Sequence, residues 1–143
     1  MTVVVSRSID IDAPVSTVWA VLSDVERWPE WTASIESIRR TRTGPLEVGE
    51  RVVVAQPRLP TVTYTLTVVD EGREFTWAAG SAVSRGVGEH VLHPRVGGGT
   101  TATLRVLQHG PAAPLATVLL RGIAQRYVRM EAEGLKARSE SIR

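Results

Sequence analysis

His90 stands in the stretch SRGVGEHVLHP, with Gly86, Gly88 and Leu92 at two-residue steps from it. Residues so spaced share one face of a strand. If that face looks inward, His90 enters the interior beside two residues that have no side chain. A neutral imidazole there can hydrogen-bond a ligand carbonyl, or serve as a general acid or base. The opposite register would turn Arg85, Val87, Glu89, Val91 and His93 inward. It would bury two charges, which costs several kcal/mol unless they are paired. The first register is therefore expected. A lone inward histidine equally fits a hydrogen-bonded core residue, and both readings stand at this stage. Apolar surroundings without a paired carboxylate should lower its pKa and keep it neutral. His93 projects to the other side, His109 is isolated, and the chain has no cysteine. A metal site is not expected.

The amphipathic aromatics form the second set. In TVTYTLTVVD, Val62, Tyr64, Leu66 and Val68 alternate with threonines; in EFTWAAG, Phe75, Trp77 and Ala79 share a face. Tyr64 and Trp77 are thus expected on the concave side of a sheet. A buried Tyr or Trp needs a partner for its O–H or N–H, which a cavity or the backbone supplies. Trp28 and Trp31 lie three apart in SDVERWPEWTASI, around Pro29. Three-residue spacing on a helical turn puts both on one side. They plug the open end of a sheet, or one of them, with Trp31 preferred, lines a pocket mouth. Arg7 shares parity with Val3, Val5, Ile9 and Ile11; a bulge or the strand edge is expected to turn it to solvent.

These residues need elements to hold them. TVVVSRSIDI reads as a first strand, about Val3 to Ile11. A short helix follows, about Val15 to Leu22, with Asp12 as cap, Pro14 in the first turn and Val15, Val18, Trp19 and Leu22 at helical spacing. Asp24 is expected to cap a second helical turn disturbed by Pro29. From Ser34 to His109, six strands separated by short turns make an antiparallel meander. A long amphipathic helix, about Ala113 to Ser139, closes the chain. Its inward stripe is expected to be Ala116, Leu119, Ile123, Tyr127, Met130, Gly134 and Ala137. One sheet face and one helix stripe must be buried against each other. The simplest solution is an α+β fold, a curved sheet wrapped around the helix, and such a gap is hard to fill completely.

The bulk properties narrow the partners. At 143 residues and 43% apolar, one domain over 1–143 is expected. A net charge of +2 without runs of like charge argues against nucleic acid. No run approaches the length of a membrane span, and the start does not resemble a signal peptide, so a cytoplasmic protein is expected. RVGGGT and GVG lack the context of a phosphate loop, and no serine sits in a nucleophile elbow. No cofactor is expected.

Several stretches, in order along the chain, then carry a resemblance: SIDIDAPVSTVWAVLSDVERWPEWTASIESI, GPLEVGERVVVAQP, GEHVLHPRVGGGTTATLRV and RYVRMEAEGLKARSE. Together they resemble the polyketide cyclase/dehydrase-like branch of the START-like, or SRPBCC, superfamily. The resemblance implies a helix-grip fold: a seven-stranded curved antiparallel sheet around the C-terminal helix, two short helices after the first strand, and a hydrophobic pocket between. Members bind lipids, sterols, polyketides, plant hormones or aromatic molecules, and some catalyse ring closure and dehydration. In the plant hormone receptors of this superfamily the loop corresponding to Gln56–Thr61 is a gate, and the next loop on that rim, here Ala78 to Gly86, a latch. The expectation is a small hydrophobic ligand, lipid-like, polyketide or aromatic, in an internal pocket. Trp31, Tyr64, Trp77, His90, Leu119, Ile123 and Tyr127 would line it, with Leu59 and Ser81 at the rim. The alternative is a metal-free polyketide cyclase, aromatase or dehydratase using the same pocket; no catalytic residue is assigned.

Overall fold

The computed structural model of the chain describes residues 1–142. Strand β1 (Thr2–Ile11) leads into helix α1 (Val15–Ser23) and a 3₁₀ segment, Val25–Glu30. Six strands follow: β2 (Ser37–Arg40), β3 (Arg51–Ala55), β4 (Val62–Asp70), β5 (Glu74–Gly80), β6 (Arg85–Pro94) and β7 (Thr100–His109). Helix α2 (Ala113–Ser141) ends the described chain. The strands form one sheet in the order β1-β7-β6-β5-β4-β3-β2, every pair antiparallel. The meander and the helix-grip α+β architecture agree with the sequence reading. The first strand closes the far edge by pairing with the last.

Strand alternation sorts the side chains. On β6 and β7, His90, Leu92, Ala102 and Leu104 are buried, whereas Glu89 and Arg105 pair with each other at 3.1 Å. The register shifts between Leu66 and Val68 of β4, however. A bulge there reverses parity: Val68 is exposed, and Val69 packs against the core in its place. Arg7 is exposed on the edge strand, as expected.

The expected caps are not used. Pro14 occupies the N-cap of α1, and the Asp12 backbone N–H instead donates to Glu140 Oε2 at 2.8 Å. Asp24 makes no side-chain cap; its carboxylate pairs with Arg27 at 3.4 Å.

Helix α2 is turned somewhat from the orientation expected: Ile123, Tyr127 and Gly134 of the expected stripe face inward, but Leu119 and Ala137 do not. The buried residues are Ala113, Thr117, Tyr127, Val128, Ala132, Leu135 and Ser139. Ala137 and Leu119 face out, and Leu115, Val118 and Leu119 are all well exposed. The physical reason is proximity. Small residues such as Ala132 and Gly134 let the helix sit close to its neighbours, and Val128 and Leu135 beside them are buried with it. At Gly134 the approach is closest: a Cβ there would lie 2.0 Å from the carbonyl oxygen of Trp31.

The largest core cluster lies where α1, the 3₁₀ segment and the sheet meet. It contains Trp19, Leu22, Trp28, Leu66, Phe75, Trp77, Leu92 and Leu135. One buried ion pair braces the β2–β3 connection. Arg40 clasps Glu50 with Nε at 2.6 Å and Nη2 at 2.9 Å, and its guanidinium also donates to the carbonyls of Gly44 and Pro45.

Candidate functional site

Between the other half of α2 and the sheet lies a cavity of about 150 Å³. Strands β3 to β7 form its floor and walls. Helix α2 forms its roof through Leu120, Ile123, Ala124, Tyr127, Val128 and Glu131. The Gln56–Thr61 loop reaches it with Gln56 and Leu59. That loop is tied at two points: Gln56 Nε2 donates to the Ser34 carbonyl at 3.3 Å, and the Tyr127 hydroxyl donates to the Pro57 carbonyl. Arg58 takes a positive φ of 66° within it, in the left-handed region that few side chains favour.

Of the residues expected around a pocket, Leu59, Tyr64, Trp77, His90, Ile123 and Tyr127 border this one cavity. Trp31, Leu119 and Ser81 do not. Trp31 wedges between the 3₁₀ segment and α2, its ring 5.2 Å from that of Trp28 and its backbone against Gly134. Leu119 is 71% exposed, because α2 is turned so that Leu120 and Ile123 flank the cavity. Ser81 sits in a hairpin loop pinned elsewhere: Ala112 N–H donates to the Val83 carbonyl at 3.0 Å, fixing the loop to the β7–α2 turn. Neither tryptophan of this pair borders the cavity, and Trp28 is a core residue. Trp28, 1% exposed, is the one whose ring meets Trp77 at 5.6 Å and His90 at 5.5 Å. Its indole N–H is satisfied by the Leu22 carbonyl at 2.9 Å. It backs the cavity wall from behind.

His90 is 4% exposed inside an aromatic box, stacked on Phe75 at 4.2 Å and edge-on to Trp77 at 5.1 Å. Its Nδ1 lies 3.2 Å from the Phe75 carbonyl. A carbonyl only accepts, so Nδ1 carries the proton and the neutral ring presents Nε2 as an acceptor. Burial pushes its pKa down to about 4, which keeps the ring neutral at pH 7. The glycines beside it leave less room than their spacing implied. A Cβ at Gly88 would lie 2.7 Å from Trp77 Nε1, and one at Gly86 would lie 3.3 Å from Gln108 Nε2. The missing side chains make way for Trp77 and Gln108.

Glu89 and Arg105, expected on the outer face, also reach the cavity lining as a pair, and two further polar residues there were not anticipated. Gln108, 7% exposed, leaves its Oε1 without a hydrogen-bond partner. Glu131 projects from α2, with the Ser34 hydroxyl at 3.5 Å as its protein partner. Burial pushes its carboxyl up to about 8, so it is largely protonated at neutral pH. Tyr64, half-buried and stacked on Trp77 at 5.1 Å, has its phenol pushed up by burial and by the nearby Glu131 charge. A signal for Glu131 existed in the sequence. It falls on the seam Val128, Ala132, Leu135 at helical spacing, a carboxylate on an apolar stripe, visible once the correct face of α2 is chosen.

The family model described as polyketide cyclase/dehydrase and lipid transport matches residues 2–140. No curated protein matches the chain. Among solved structures, XoxI from Bacillus cereus superposes with a TM-score of 0.75 at 15% identity, covering 96% of this chain and 94% of that one. A START superfamily protein from Mycobacterium smegmatis gives 0.70 at 15%, covering 96% and 97%. The Zhui aromatase/cyclase from Streptomyces sp. R1128 gives 0.70 at 15%, covering 95% and 92%. At these identities the likeness is one of fold.

Proposed function

The chain belongs to the polyketide cyclase/dehydrase and lipid transport family, and on that premise we propose that it binds a small hydrophobic molecule in the cavity under α2. The observation that carries this reading is an internal space walled mainly by apolar and aromatic side chains, among them Val54, Leu59, Trp77, Leu104 and Ile123. An apolar cavity of about 150 Å³ is the size that admits a benzene-like molecule. A single-ring aromatic or a short aliphatic ligand therefore fits the cavity as it stands. A lipid or a folded polyketide needs the Gln56–Thr61 loop to lift.

That size weighs against the cyclase alternative. Ring closure and dehydration need polar groups placed along an extended substrate. Here the polar groups surround a space of about one ring, and His90 already gives its N–H to Phe75. Among the described residues no helix is long and apolar enough to cross a membrane.

The test is native mass spectrometry of the purified chain, followed by thermal melting with single-ring aromatics and with a long-chain lipid. A co-purified small molecule, or a melting rise of a few degrees with the single-ring compounds, is the expected result. No bound mass and no shift with either class would remove the reading.

A further inference from the structure

Two carboxylates border the cavity, and they differ. Glu89 is paired with Arg105 at 3.1 Å. Glu131 has no ion pair among the described residues, and its nearest hydrogen-bonding group is the Ser34 hydroxyl at 3.5 Å. An unpaired carboxyl even partly withdrawn from water is costly, and the chain places this one at the roof of a mainly apolar space. Two acceptors on the sheet side are unmet as well. Gln108 Oε1 is buried without a partner, and His90 Nε2 is left as an acceptor by the Nδ1–Phe75 contact. Beside them, Tyr64 and Trp77 are stacked 5.1 Å apart and present aromatic surface to the cavity. Acceptors and π-faces together suit a positively charged donor. They do not suit a carboxylate ligand, for which Arg105 would have to leave Glu89.

We propose that the ligand of this cavity is a small apolar amine, about one ring in size, whose ammonium group supplies the counter-ion that Glu131 lacks. The inference rests on the small-molecule binding reading above and narrows it. Glu89 and Arg105, the charged residues of the lining besides Glu131, pair with each other at 3.1 Å, and four polar groups in or beside the lining are uncharged at neutral pH. They are the Ser34 hydroxyl ahead of β2, the Tyr64 phenol on β4, the neutral His90 on β6 and the Gln108 amide on β7. The carboxyl that burial pushes up to about 8 must therefore release its proton when an ammonium arrives. Binding of the amine should weaken as pH falls below 8, and should deliver a proton to the buffer.

The experiment is calorimetry of the full chain with benzylamine, benzyl alcohol and benzoate, at pH 8 and pH 6, in two buffers of different ionisation heat. Benzylamine is expected to bind at least about tenfold tighter than benzyl alcohol at pH 8, and benzoate not at all. The preference should shrink by about tenfold or more at pH 6, with buffer-dependent heat reporting proton release. Glu131→Gln should level the amine and the alcohol. Should that variant fail to fold, the wild-type pH dependence carries the test alone. Benzyl alcohol binding as well as benzylamine, or a preference that survives in Glu131→Gln, overturns the amine inference and leaves the binding site standing. If none of the three binds, the ligand-binding reading falls and this inference with it.

Discussion

Helix α2 crosses one sheet but faces two different interiors. Toward its C-terminus, Leu135 is buried against a third element, for α1 and the 3₁₀ segment bring Trp19, Leu22 and Trp28 between helix and sheet. Toward its middle, Leu120, Ile123 and Ala124 look across a cavity, with the Gln56–Thr61 loop alone reaching over it. The helix and the sheet are common to both ends. What differs is whether a short insertion fills the gap that curvature opens. A curved sheet around a single helix yields a core where a third layer enters and a binding space where none does.

Truncation is the harshest way to break this contrast. Trp28→Ala removes a fully buried indole that touches Trp31, Phe75, Trp77 and His90, and should cost about 3–5 kcal/mol in urea unfolding. Ile123→Ala, at a wall that already borders empty space, should cost under about 1.5 kcal/mol. Similar losses at the two sites would mean that the ends are equally packed.

The pH dependence of stability sharpens the comparison next, because two groups at the cavity, His90 on the sheet side and Glu131 on the helix side, are shifted in opposite directions. The His90 pKa is lowered from 6.5 to about 4. Its contribution is present above pH 6.5 and is lost as pH falls toward 4. The Glu131 pKa is raised from 4.5 to about 8. The folded state holds a proton that the unfolded state releases, so stability declines as pH rises from 4.5 to 8. Between pH 4.5 and 6.5 the two slopes oppose and the profile should be flat, with a decline setting in between pH 6.5 and 8. In Glu131→Gln that decline should vanish, and stability should instead rise from pH 4.5 to 6.5. Chemical unfolding across pH 4 to 9 checks both; an unaltered profile in the variant would show that Glu131 is not the group responsible.

Filling the hollow end is a gentler probe. Ala124→Leu places three further carbons where Ala124 borders the cavity. It should change stability by no more than about 1 kcal/mol, while abolishing binding of single-ring compounds in the melting assay. Retained binding would put the ligand elsewhere. Smallest of all, Leu119→Ser on the exposed side of α2 should stay within about 0.5 kcal/mol in urea unfolding. A loss above about 1 kcal/mol would mean that this face of α2 is covered.

The fold was legible because its signals repeat: alternation on β4 to β7, short turns, and one long periodic segment. Local exceptions were not. The bulge after Leu66 exchanged Val68 for Val69, since one extra residue reverses parity and leaves no mark in composition. The orientation of α2 was partly misjudged because Leu119 and Met130 are larger and more apolar than Thr117 and Ala132, whereas the smaller pair is buried more deeply. That rotation also hid Glu131. Parity on β5 and β6 placed Trp77 and His90 correctly, because two strands in register leave no freedom. Trp28 and Trp31 share a side of one short turn, and only the position of Gly134 decides which faces the helix and which the sheet.

The hydroxyl of Tyr127 and the carbonyl of Pro57 join roof and loop, and the consequence is a matter of time scale. If molecules enter beneath that loop, they wait for the bond to part. Association would then be paced by the protein's own opening and would saturate at high ligand concentration. Exit would be slowed by the same step, so residence would outlast what contact area alone sustains. Tyr127→Phe should speed arrival and departure together, and leave the equilibrium between them nearly where it was.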